Sequence, residues 1–155
     1  MNRQSGLTLI EITVVIAILT IIIAFGMTVD FSSFTSDTFL AEESKIVSAL
    51  ERARSRAMAN MCVGAGCSDG KRHGFCYDES EDSYVIFQGD TCTTTGSELI
   101  PANTNIAENA GTSFPAEIVF EQLTGNASSA PLNIIISDGT KTDTIEINVE
   151  GTINW

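Results

Sequence analysis

Few side chains in this chain have the chemistry to form a reactive centre. There is one histidine, His73, and there are four cysteines, Cys62, Cys67, Cys76 and Cys92. A single imidazole between Arg72 and Gly74 leaves no Ser-His-acid set to assemble, and His73 reads as an exposed turn residue. Gly64-Ala65-Gly66 lacks the Lys-Ser/Thr pair and the strand-to-helix context of a phosphate-cradling loop. The acidic run Asp78-Glu79-Ser80-Glu81-Asp82 has neither the alternating ligands nor the internal glycine of a calcium loop, so it reads as a solvated turn. No catalytic residue, cofactor or metal site is expected, and the chain does not read as an enzyme.

The cysteines are even in number, which in an oxidising compartment suggests two disulfides with three possible connectivities. The expected pairing is Cys62 with Cys67, closing a small Gly-rich loop, and Cys76 with Cys92, tying a hairpin to the loop after it. Each bridge would add about 2–4 kcal/mol to a small domain. A zinc site built from these thiols and His73 is the rival. Zinc ligands come in tighter Cys pairs than the intervals of four, eight and fifteen residues found here.

One further group is chemically conspicuous. Glu11 sits near the front of an apolar run in which no residue from Ile12 to Val29 is charged. Eighteen helical residues rise roughly 27 Å, close to the thickness of a bilayer's hydrocarbon core. A carboxylate inside such a segment costs roughly 2.5–3.5 kcal/mol on insertion scales, so its presence asks for a partner. A cleaved secretory signal has a shorter apolar stretch and no acid at its head, and Gly26-Met27-Thr28 is a poor small-residue cleavage site.

Gly6 followed by Leu7-Thr8-Leu9-Ile10-Glu11 resembles the prepilin cleavage motif of type IV pilins and type II secretion pseudopilins. The resemblance implies a basic leader, residues 1–6, cut between Gly6 and Leu7 by a prepilin peptidase. It implies N-methylation of Leu7, where the family more often has Phe, and an assembly role for Glu11. Residues 7–29 would form the transmembrane and assembly helix. Arg3 and the initial amine agree with a cytoplasmic leader.

The remainder reads as one domain with a modest core. Residues 30–37 are rich in Ser, Thr and Asp, which favour caps and turns, and mark a weak helical zone or linker. From 38 to 60 the pattern is helical. Phe39, Ile46, Leu50, Ala53 and Ala57 form the apolar stripe, flanked by Leu40, Val47 and Met58, with Glu42, Glu43 and the arginines covering the rest. Short strands follow at Gly74–Tyr77, Ser83–Gln88, Ile118–Phe120, Asn133–Ile136 and Thr144–Val149. A two-residue turn at Glu150-Gly151 suggests a C-terminal hairpin, with Trp155 capping the sheet edge or core. The expected fold class is α+β, with the helix packed on an antiparallel sheet in a head spanning 38–155.

This order also resembles the minor pilins and pseudopilins of the GspH/FimT type. The features that carry it are the Ala-Arg-rich helix end from Leu50 to Ala59, Phe120 followed by Gly125, and the closing hairpin. The resemblance implies a single-pass protein of the bacterial inner membrane with its head in the periplasm, assembled into a pseudopilus or pilus. Its partners would be other pilin subunits, the prepilin peptidase, inner-membrane lipid and the assembly platform. A ligand-binding or adhesion subunit is the alternative. Nucleic acid is not an expected partner, because 20 acidic residues face 8 basic ones for a net charge of −12. Arg52, Arg54, Arg56 and Lys71-Arg72 read as solvated positions or subunit contacts.

Overall fold

A computed structural model describes residues 9–26, 31–63 and 69–155, with the side chains of 25–26 and 31–36 also outside the description. The chain divides into two compact units, Met1–Asp37 and Thr38–Trp155.

In the first unit, α1 (Leu9–Gly26) is an 18-residue helix with Glu11 in its first turn. Every described side chain on it, from Leu9 to Ala24, is exposed. Apolar residues lie on all its faces, so no polar stripe is available to face water. Among the described residues no helix is long and apolar enough to cross a membrane.

The second unit begins inside α2 (Phe31–Met58), a helix that is already formed across 31–37, where the sequence suggests a weak zone. The stripe expected to face inward does so: Phe39, Ile46, Leu50, Ala53 and Ala57 are all buried, with Val47 and Ala49 beside them. Leu40 and Met58, read as flanking the stripe, are exposed. Glu42 and Glu43 are not on the solvent side, being only 3% and 6% exposed. The backbone N–H of Asn103 and the Lys45 ammonium both donate to Glu42, at 2.8 and 2.6 Å, which compensates its carboxylate for lost water.

The strands make two antiparallel sheets where a single sheet was expected. The first has the order β3-β2-β1-β4, from β1 (His73–Asp78), β2 (Ser83–Gln88), β3 (Glu98–Pro101) and β4 (Ile118–Phe120). The second has the order β5-β6-β7, from β5 (Leu132–Ser137), β6 (Thr142–Ile147) and β7 (Ile153–Asn154). Isolated bridges Ser113–Ile135 and Phe120–Ala127 connect segments around them. The four-residue helix α3 (Thr104–Ala107) follows β3. Neither β3 nor α3 has a sequence signature strong enough to find, β3 being short and ending on Pro101.

The β1–β2 hairpin lies where the alternation places it, with Tyr77 opposite Tyr84 and Asp78 opposite Ser83. Its turn is organised by Asp78, whose carboxylate accepts from the Ser80 N–H and hydroxyl and from the Glu81 N–H. Both faces of this sheet are covered. Phe75, Tyr84, Ile86, Ile118 and Phe120 join α2 and the second sheet in the main core. Cys76, Val85, Phe87 and Val119 form a second cluster on the other face, against Cys92. Gly74 is required in β1 because a Cβ there would meet the Phe87 ring at 2.3 Å and the Ile118 carbonyl at 2.6 Å.

The C-terminal hairpin differs from expectation in register. β6 ends at Ile147, and residues 148–152 form the connection, closed by Asn148 N–H to the Thr152 carbonyl and Gly151 N–H to the Asn148 carbonyl. The expected two-residue turn would have carried pairing through Val149. Gly151 instead adopts φ +73°, and a Cβ on it would lie 2.0 Å from the Gly125 carbonyl oxygen. With β7 only two residues long, Ile153 fills the core and Trp155 falls beyond the pairing, 63% exposed. It does not cap the core.

Candidate functional site

The processing residues Gly6 and Leu7 lie outside the described residues, and Glu11 is the member of the motif that is described. Its setting is one-sided chemically. Thr13 and Thr20, the other polar side chains on the described part of α1, donate their hydroxyls to the carbonyls of Ile10 and Ala17, at 2.9 and 2.8 Å. These local bonds satisfy the hydroxyls within the helix, so both threonines are compatible with apolar surroundings. A glutamate carboxylate cannot donate in this way when ionised. Among the described residues it has no hydrogen-bond or ion-pair partner. The helix therefore presents one acid with an unmet requirement on an otherwise apolar cylinder.

In the head, the residues singled out for chemistry are held in structural roles. His73 is 1% exposed within β1, not in an exposed turn. The strand begins one residue earlier than the pattern suggests, which draws the ring inward. Its Nε2 lies 3.0 Å from the Met61 carbonyl oxygen. A carbonyl only accepts, so Nε2 carries the proton and Nδ1 presents a lone pair, which is buried without a partner among the described residues. Burial holds the imidazole below its usual pKa, and the Arg56 charge adds to this, against an opposing contribution from the Met61 bond.

Cys76 and Cys92 form a disulfide with Cα atoms 6.2 Å apart, fixing the 89–97 segment over the outer face of the first sheet. The Cys92 N–H also donates to Glu117 at 3.0 Å. Cys62 is disulfide-bonded as well; Cys67, the partner expected for it, lies outside the described residues. Among the described residues no group of three or more His, Cys, Asp or Glu is arranged to hold a metal ion.

The basic residues, read from sequence as solvated positions or subunit contacts, are largely spent inside the domain. Arg52 and Arg56 both bind the carboxylate of Glu98, clamping the edge strand β3 to α2. Arg54 donates to the carbonyls of Gly125 and Glu150, at 3.3 and 3.0 Å, joining the loop before the second sheet to the β6–β7 connection. Arg72 pairs with Asp90 at 3.0 Å and Glu121 at 2.8 Å. Their partners lie 42 to 96 residues away in sequence for the α2 arginines, so local pattern gave no sign of them.

Sequence reasoning also missed a cavity of about 580 Å³ at the open side of the β1–β2 turn, walled by Tyr77, Phe114 and Pro115 and rimmed by Glu79 and Glu108. Tyr77 and Phe114 rings are 5.0 Å apart, and both pack on Tyr84 at 5.8 Å. Glu79 belongs to the acidic run noted above, but Glu108 and Phe114 come from the C-cap of α3 and the segment after it.

Residues 1–27 match the family described as the prokaryotic N-terminal methylation motif. The match covers Gly6, Leu7, Glu11 and the apolar run, and it supports a type IV pilin-like subunit that associates with other subunits and is processed by a prepilin peptidase. No curated protein and no solved structure is significantly similar to the chain.

Proposed function

We propose that the chain is a minor pilin or pseudopilin of the GspH/FimT type, built into a type II secretion pseudopilus or a type IV pilus. The carrying observation is the methylation motif at residues 1–27, which combines a cleavage glycine, an apolar first residue and Glu11 at fixed offset before a long apolar helix. In this reading the leader is cut after Gly6 and the amine of Leu7 is methylated. The α1 helix anchors the precursor in the inner membrane with the head in the periplasm, then packs among neighbouring subunits. Glu11 meets the Leu7 amine of an adjacent subunit. In a low-dielectric filament core that pairing offsets part of the cost of burying the acid and fixes axial register.

The head supports an assembly role over catalysis. Its one histidine is tied to a backbone carbonyl, and its arginines are engaged within the fold. The Cys76–Cys92 bridge suits an oxidising periplasm, and Cys62–Cys67 is assigned as the second. Residues 30–37 serve as the segment that yields on assembly. Nucleic acid is not a partner of a head this acidic. The second reading, a ligand-binding or adhesion subunit, draws on the acidic aromatic cavity.

The test is intact mass and N-terminal sequencing of protein from membranes containing prepilin peptidase. A start at Leu7 with one added methyl group is expected. A retained Met1, or cleavage beyond Thr28, would overturn the proposal.

A further inference from the structure

We infer that the cavity beside the β1–β2 turn is a binding site for an organic cation, an alkylammonium or guanidinium group of the size carried by Lys or Arg. Its volume of about 580 Å³ accommodates such a group with its aliphatic stem. Tyr77, Phe114 and Pro115 line it, most of its exposed lining is polar, and the rim carries Glu79 and Glu108 with no basic side chain among the lining residues. Aromatic rings attract cations through the ring quadrupole, and Tyr77 and Phe114, with centroids 5.0 Å apart, both line the cavity. A compact hard ion is a poorer match, since the acids here are not arranged as a metal-ligand group.

Two independent features mark the site as incomplete. The Tyr77 hydroxyl, on a residue that lines the cavity, is buried and makes no hydrogen bond among the described residues. Native interiors rarely leave such hydroxyls unpaired without a reason. The acids are also crowded by their own kind. Glu108 is held above the usual carboxylate range by its hydrogen bond to Asp82 and by the charges of Asp82 and Glu79. Burial raises the Tyr77 phenol, and Glu108, Asp82, Glu79 and Asp78 all add to that. A cation seated at the rim relieves this repulsion. The arrangement is independent of the assembly reading and concerns the head alone.

The experiment is a titration of the isotope-labelled full-length protein in detergent micelles, followed by amide chemical shifts. The probes are N-acetyl-lysine amide, cadaverine and the uncharged N-acetyl-norleucine amide. Saturable shifts centred on Tyr77, Glu79, Glu108 and Phe114 are expected with both amines. Binding of the norleucine probe should be roughly tenfold weaker or absent. The double variant Glu79→Gln/Glu108→Gln, both exposed and outside the core, should weaken the amines severalfold, whereas Glu51→Gln on the outer face of α2 should not. Tighter binding of the acetyl-lysine amide assigns the site to a protein-borne side chain, and tighter binding of cadaverine assigns it to a free amine. Equal binding of norleucine amide, non-saturating shifts spread over the acidic surface, or equal loss in Glu51→Gln would overturn the inference.

Discussion

His73 couples the helix-to-strand connection to proton concentration. Its Nε2–H is given to the Met61 carbonyl and its Nδ1 is buried without a partner, so a second proton would place an unpaired donor and a charge near Arg56. The folded-state pKa is lowered from the ordinary 6.5, which means the unfolded chain takes up the proton first as pH falls. The stabilising contribution is therefore complete above about pH 6.5 and is lost as pH falls from there toward the folded pKa. Denaturant midpoints measured between pH 8 and 5 should decline below about pH 6.5, and His73→Gln should flatten that decline without reproducing it. A decline of the same size in His73→Gln would place the sensitivity elsewhere. The burial of His73 was not legible in the sequence, which suggested an exposed turn. The start of a strand is set by pairing with Gln88 and Phe120, neither of which is its neighbour in sequence.

At the scale of elements, α2 and the disulfide hold the first sheet from its two sides. Leu50 is fully buried in the stripe of α2, so Leu50→Ala should destabilise the head by about 2–5 kcal/mol, read as a shifted denaturant midpoint with unchanged slope. On the opposite face, replacing Cys76 and Cys92 together by Ser should remove about 2–4 kcal/mol, with Val85, Phe87 and Val119 then protected less from exchange. Reduction of the wild-type protein that left stability unchanged would contradict this. The helix and the β1–β2 hairpin were visible in the chain because 3.6-residue and two-residue periodicities are local. Short β3 was not, because what makes it a strand is the pairing of Glu98 to Pro101 against Ser83 to Ile86 and the grip of Arg52 and Arg56 on Glu98.

At the scale of the molecule, the proposed function rests on a helix whose one acid has no partner among the described residues and a head whose arginines are engaged within the fold. On the proposed reading, Glu11→Gln should leave cleavage after Gly6 intact, since it lies downstream of the proposed cut, yet reduce filament incorporation by tenfold or more, on the order of the loss expected when a buried charge pair is broken. Sheared-fraction immunoblots beside precursor and mature bands in membranes check this, and normal incorporation would remove the register role. The methylation motif, the apolar helix and the acidic balance were set by sequence alone, since each is a matter of residue type at fixed local offsets. The same holds for the inward stripe of α2. Tertiary structure decided the rest. It split the strands into two sheets, turned Glu42 and Glu43 inward, the first against a distant N–H and a lysine, and left Trp155 outside. It also gathered Tyr77 from β1 and Glu108 and Phe114 from the β3–β4 connection around one cavity. The reason is physical: periodicity and motif report the forces between near neighbours, whereas long-range pairing, burial of charge and concavity depend on which remote segments the fold brings together.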